Sequence, residues 1–308
     1  MAHAEPVSMP LSLVNEPAKP PETLRSITWR HFRKHRLAVA GSIVLVLLVL
    51  GAIFVPIVTH YDPGKTHILE AYQPPSMQHP MGTDGLGRDV FVRSMDGGRI
   101  SLAIGLIAMI LAVGLGTFVG STAGYRGGIA DNLLMRGADI MLTLPTLFVA
   151  ILLTQMLRAG AIPGLKAGIG PIILVIAVTS WMGVARLVRA SFLSLKEKDF
   201  VTAANAVGVR NSRIMWRHIL PSAASPIIVA ATLRVGAAII TESGLSYLGF
   251  GVQPPTPTWG NMLQHAQSEL DYAPWTAIFP GLFIFITVIA VNYIGDGLRD
   301  ALDPHHVA

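Results

Sequence analysis

Long apolar runs separated by short polar joins make up most of the chain. The first, Leu37 to Val58, and the second, Ile100 to Ala123, carry no charged residue. A run of about 18 or more such residues can cross a bilayer, because the hydrocarbon core is ~30 Å thick and a helix rises ~1.5 Å per residue. Four further runs, Leu133 to Leu157, Gly170 to Val188, Ser222 to Leu248 and Trp275 to Leu298, each contain proline, glycine or an ionisable residue. A membrane helix tolerates these where neighbouring helices or a cavity satisfy the groups they free. The pattern predicts an all-α membrane protein, a bundle of six transmembrane helices.

This reading divides the chain into a cytoplasmic N-terminal tail (1–36), a first span (37–58), an external loop segment (59–98), a core transmembrane domain (99–300) and a C-terminal tail (301–308). The tail up to about Leu24 is rich in proline and lacks an apolar pattern, which predicts disorder in part of it. Arg30, Arg33, Lys34 and Arg36 crowd the entrance to the first span and place the N-terminus inside. Counting crossings forward puts Arg186, Arg189, Lys196, Lys198, Arg210, Arg213 and Arg217 on the same side. Lys65, Arg88, Arg93, Arg158 and Lys166 fall in outside loops, so the rule is a bias and not a partition.

Composition agrees: 52% of residues are hydrophobic and 13% charged, where a soluble domain carries roughly 25% charged residues. The net charge of +5 is absorbed by this topology. No basic-aromatic reading surface accompanies it, which argues against nucleic-acid binding. The absence of cysteine excludes a disulfide framework and thiolate chemistry.

One stretch is out of keeping with its surroundings. Lys198 to Pro221, KDFVTAANAVGVRNSRIMWRHILP, is polar and lies between two apolar runs. Asp199 is a suitable N-cap, Phe200 to Val207 gives about two helical turns, and Gly208 can take the left-handed conformation that ends them. Phe200, Ala204 and Val207 then share a face. A helix this short is unstable alone, since nucleation is costly below ~12–15 residues. It must pack on something, either its own bundle or another protein.

The stretch resembles the cytoplasmic signature loop, the EAA motif, of ATP-binding-cassette importer permeases: Ala203, Ala204, Gly208, Leu220 and Pro221 match, and Thr202 replaces the usual glutamate. MGTDGLGRDVFVRSMDGGRISL from Met81, DIMLTLP from Asp139, ESGLSYLGFGVQPPTPTWGNML from Glu242 and FPGLFIFITVIAVNYIGDGLRDALDP from Phe279 are similar to the second permease subunit of the dipeptide, oligopeptide and nickel importer family. The resemblance runs from Arg30 to Pro304 in order. It implies a type I importer permease in the bacterial inner membrane, paired with a homologous permease, two ATPase subunits and an external solute-binding protein. ATP and Mg would be held by the ATPase subunits, with no cofactor or metal in this chain. The polar helix near 199–208 would be the coupling helix, seated in an ATPase groove.

Other motifs have plainer explanations. GKT at Gly64, Lys65 and Thr66 lacks the upstream glycine of a phosphate-binding loop, Thr59 standing there, which points to ATPase activity in separate chains. Gly82, Gly85 and Gly87 allow tight turns, and Asp84 or Asp89 can cap the following helix. His60, His67 and His79 share a loop without the spacing of a ligand set. Gly116, Gly120 and Gly124 form small-xxx-small steps suited to close helix packing. Pro145, Pro226 and Pro280 mark places where helices can bend.

Arg234 and Glu242 are candidates for the translocation pathway. A charged arginine near mid-membrane costs about 2.5–3.5 kcal/mol on insertion scales, so it should face the bundle interior or a wet cavity with an anionic partner. Glu242, eight residues on, is ~12 Å away along the axis. The partner is therefore on another helix, on the partner permease, or is a substrate carboxylate. The function expected is peptide import by alternating access, with nickel, glutathione or an opine as the alternative cargo. An intramembrane enzyme would need facing catalytic groups, for which the ionisable residues are too few. A passive channel would not need a coupling helix.

Overall fold

The computed structural model describes residues 24–60, 65–165 and 168–302, and these are helical almost throughout. The helices are α1 (Leu24–Lys34), α2 (Arg36–Val58), α3 (Val90–Arg126), α4 (Gly128–Thr143), α5 (Thr146–Arg158), α6 (Gly170–Leu195), α7 (Asp199–Ala206), α8 (Asn211–Arg213), α9 (Leu220–Ser222), α10 (Ala224–Tyr247), α11 (Trp259–Ala266) and α12 (Trp275–Leu302). Five of them, α2, α3, α6, α10 and α12, are long and apolar enough to cross a membrane, and the pair α4–α5 makes six if counted as one span. The proline-rich tail and the terminal His305 and His306 lie outside the described residues, as do Lys166 and Gly64 of the GKT triplet.

The third expected span is not one helix. The chain turns through 95° between α4 and α5. Leu144 is extended (φ −81°, ψ 137°) and Pro145 follows it into α5. Proline disfavours the helical region for the residue before it, so the break falls where the sequence places Leu144–Pro145. Two further boundaries differ from expectation. A short basic helix, α1, precedes the first span, and α3 begins at Val90, well ahead of the apolar run that starts at Ile100.

The bundle is built on α3 against α6. Cβ atoms placed on Gly116 and Gly124 would lie 2.7 and 2.8 Å from the backbone oxygens of Trp181 and Arg189, and one on Gly120 would press still closer on that of Ala185. Only glycine lets the two backbones approach this closely, the packing that small residues provide where lipid supplies no hydrophobic drive between helices. Apolar side chains remain uncovered on the outside, among them Leu47, Phe54, Ile110, Phe118 and Phe285. Such a belt would be an aggregation surface in water and is the lipid-facing surface of a bundle. The helices alternate in direction. The junctions α1–α2, α3–α4 and α6–α7 gather at one end, here the α7 end, and the segments 65–89, 159–165 and 248–274 gather at the other, the loop end.

Candidate coupling helix, loop-end scaffold and membrane-embedded charges

Lys198 is extended (φ −77°, ψ 149°) and makes no side-chain cap, so Asp199 is the first helical residue of α7 and not its N-cap. Its carboxylate still stands in the first turn, where the helix dipole favours negative charge. The C-terminus is closed by two hydrogen bonds: the Gly208 N–H donates to the Asn205 carbonyl at 3.0 Å, and the Val209 N–H to the Ala204 carbonyl at 3.1 Å. Gly208 takes φ +78°. This is a Schellman closure, with Val209 and Ala204 packing on the same apolar cluster.

The face of α7 turned to the bundle differs from the expected one. Val201 is buried and Ala204 half-buried, in a cluster with Phe192, Ile214 and Ile219. Ala204 therefore anchors α7 to its own chain and does not lie on the free face. An eight-residue helix has little other means of stabilisation, and i, i+3 spacing puts these two residues together. Phe200 and Val207 point outward at 41% and 84% exposure, with Thr202 and Ala203 exposed beside them. A Cβ on Gly208 would stand in open space, so its backbone angle alone demands glycine. Between α8 and α9, Ile214–Ile219 is a π-helical turn that buries both of its end residues. Leu220 packs against the same cluster, and the exposed Pro221 lies in the first turn of α9.

The loop end is held differently. Asp84 accepts from the N–H groups of Leu86 (2.9 Å) and Arg88 (3.0 Å), from Arg88 Nε (2.8 Å) and from Arg93 Nη1 (2.6 Å). Asp89, not Asp84, caps α3 by accepting from the Val92 N–H. Gly87 has φ +70°, and a Cβ there would overlap the His67 carbonyl oxygen. Trp275 Nε1 donates to the Thr83 carbonyl at 3.0 Å, and a Thr258–Asn261 capping box opens α11. Glu269 packs on this turn, where burial pushes its carboxyl above the usual range; the Thr276 hydroxyl and the Gly85 N–H act the other way.

Glu242 is fully buried. Its carboxylate accepts from Ser246 at 2.7 Å, Ser101 at 3.3 Å and Ser243 at 3.4 Å, and Ser101 in turn accepts from the Trp259 N–H. The expectation that Glu242 lines a pathway is corrected: hydrogen bonds from α3 and α10 enclose it, which is how a buried carboxylate is made tolerable. Arg234 is half-buried in the seam between α10 and α6. Its Nη2 occupies the space that a Cβ on Gly183 would need. Glu242 is not its partner.

Two ion pairs between α4 and α6 escape sequence reasoning. Arg189 grips Asp131 with both ends of its guanidinium, one bond measuring 2.6 Å, and Arg186 pairs with Asp139. Both join α6 to α4 across more than forty residues of chain. Their only sequence signal is four ionisable residues inside or beside apolar runs. His60, His67 and His79 line one hollow of about 270 Å³ at the loop end. Only His79 has acidic neighbours, Asp89 at 2.8 Å and Glu70 at 4.0 Å. Among the described residues no three histidines or carboxylates converge as a metal set.

The structure is that of a multi-span membrane protein with a short, locally terminated helix beyond its spans. Residues 112–306 match the family of binding-protein-dependent transport system inner membrane components, and residues 23–75 match the N-terminal transmembrane domain of oligopeptide transport permease C; the chain belongs to this importer permease family. It is 44% identical to the oligopeptide transport system permease protein OppC of Bacillus subtilis (strain 168), over 89% of this chain and 87% of that protein. It is 40% identical to the dipeptide transport system permease protein DppC of Alkalihalophilus pseudofirmus over 98% and 97%. A glutathione transport system permease protein, GsiD of Escherichia coli O157:H7, is 41% identical over 90% and 89%. In fold the chain is similar to an inward-facing structure of the MetNI methionine ABC transporter, with a TM-score of 0.54 at 18% identity over 67% of this chain and 95% of that one.

Proposed function

We propose that the chain is the second permease of an importer of dipeptides or oligopeptides. It forms the translocation pathway with a homologous permease and receives substrate from an external solute-binding protein. The N-terminus and the α7 end face the cytoplasm. Two separate ATPase subunits hold ATP and Mg, and this chain hydrolyses nothing itself. The observation that carries the coupling role is the outward pair Phe200 and Val207 on a helix whose ends are locally fixed. Exposed apolar side chains beyond the spans are wasted unless a partner covers them. Thr202 and Ala203 add a slim rim to this face, Asp199 and Gly208 set its limits, and Ala204, Leu220 and Pro221 hold it to the bundle. With threonine at position 202, no salt bridge to the ATPase arises there.

Peptide cargo is favoured by the oligopeptide and dipeptide relatives. Glutathione, itself a tripeptide, is the second reading, supported by the relative at 41% identity. Whole-cell uptake separates them. Deleting this chain should abolish uptake of a labelled tripeptide such as trialanine, and supplying the chain in trans should restore it. Loss of glutathione uptake with trialanine uptake intact would replace the peptide reading by the second one.

A further inference from the structure

We propose that Arg234 is a binding residue for the carboxylate of the transported substrate, an inference that rests on the peptide-import reading. Three observations carry it. The first is depth. Arg234 lies ten residues into α10 from Ala224, about 15 Å along the axis at ~1.5 Å per residue. The residue it lies against, Gly183, is near the middle of α6. Its helix is bracketed by two apolar clusters: Ala238 packs with Ile172 and Ile176 on one side, and Ile227 packs with Val184 and Val188 on the other. A guanidinium at this level costs about 2.5–3.5 kcal/mol on insertion scales, so it is retained only where an anion or water offsets that cost.

The second observation is the lack of any such anion beside Arg234 among the described residues. Arg234 makes no hydrogen bond or ion pair among the described residues. Three other arginines of the bundle are provided for internally: Arg189 by Asp131, Arg186 by Asp139, and Arg158, at the loop end, by the carbonyls of Gly249 and Gly251, whereas Arg136, which also has no such partner, is exposed on α4. The one remaining acid on α10, Glu242, is enclosed by serines. These three arginines are satisfied from within the chain, while the half-buried Arg234 is left open. The third is position. Gly183 has no side chain, the guanidinium lies where one would stand, and Arg234 stays partly exposed in the seam. A guanidinium so placed can receive a carboxylate through two parallel N–H···O bonds, and every peptide with a free C-terminus carries that group.

The natural chain has no cysteine, so Arg234→Cys introduces its sole thiol. The assembled complex, with partner permease, ATPases and binding protein, is reconstituted in liposomes. Adducts of 2-aminoethyl methanethiosulfonate on this chain are followed by intact mass, and trialanine uptake is measured in parallel. Two results are expected. The thiol reacts; and trialanine uptake, lost in Arg234→Cys while uptake of trialanine amide is kept, returns with the cationic adduct but not with the neutral methyl disulfide. An unreactive thiol overturns the proposal. So does equal loss of trialanine and its amide, which would assign Arg234 to a carboxylate of the partner permease. Recovery with the neutral adduct overturns it as well. If the natural complex takes up no trialanine, the peptide reading falls and this proposal with it; trialanine uptake by the natural complex with equal loss of both peptides in Arg234→Cys defeats this proposal alone.

Discussion

At the loop end, Asp84 collects two arginines and two backbone N–H groups, a tryptophan indole donates to the Thr83 carbonyl, and a reciprocal capping box fixes α11. At the α7 end, an eight-residue helix is held by Val201 and Ala204 on one face, while Phe200 and Val207 on the other touch little. On the coupling role proposed above, the difference separates a scaffold from a contact surface. Polar groups withdrawn from water are mostly paired, so the loop end is dense with directional bonds. A surface meant for another protein instead keeps apolar groups uncovered and fixes only its backbone. Glycine marks the contrast. Gly87 is required by both its φ and the His67 carbonyl against it, whereas Gly208 is required by φ alone.

That contrast can be broken by substitution. Gly87→Ala should have the largest effect on stability, about 3 kcal/mol or more, since a forced left-handed residue alone costs about 1–3 kcal/mol and the new Cβ meets backbone that cannot retreat. The thermal midpoint of the purified permease should fall by many degrees, or the chain should not accumulate; a midpoint near the natural one would show that the 65–89 loop is not a rigid scaffold. Gly208→Val should cost less, about 1–2 kcal/mol for a left-handed non-glycine residue, and leave the bundle inserted. Its uptake should nevertheless be abolished, because the Schellman closure sets the path from α7 to α8. Normal uptake by this variant would remove the argument that the closure positions a coupling surface.

The smallest effect expected is a pH dependence at the loop end. Burial holds the Glu269 carboxyl above its ordinary value of 4.5. A carboxyl raised in the folded state contributes stability that is fully present below the ordinary value and is lost as pH rises through the raised one. Thermal midpoints measured from about pH 4 upward should therefore decline slightly in that window, and Glu269→Gln should flatten the decline. An identical profile in both proteins would show that Glu269 is not desolvated.

Much of the fold is legible because membrane helices are written as continuous apolar runs, and the close-packing glycines of α3 occur at a spacing that names their partner face. Pro145 is visible as a place to bend, but the 95° turn is not, because its size is set by what α4 and α5 pack against. The stop of α7 is readable from Gly208, whereas its inward face is not. Phe200, Ala204 and Val207 have helical spacing, yet the face that is buried is decided by Phe192, Ile214 and Ile219, which lie outside the helix. Glu242 reads wrongly as a pathway residue for a similar reason. Ser101, which donates to it, is 141 residues away, and no local pattern announces such a bond. The pairs Asp131–Arg189 and Asp139–Arg186 are hidden in the same way, by distance along the chain.

The coupling role requires that the free face of α7 be covered by an ATPase subunit. In a chain without cysteine, Val207→Cys provides one thiol at a highly exposed point of that face, and Val201→Cys provides a buried control on the opposite face. The complex is treated in native membranes with a short homobifunctional thiol cross-linker after single cysteines are introduced along the facing groove of the ATPase subunit. A cross-linked product of permease and ATPase should form from Val207→Cys and none from Val201→Cys. Absence of the product from Val207→Cys in a complex that still imports substrate would contradict the coupling role assigned to α7.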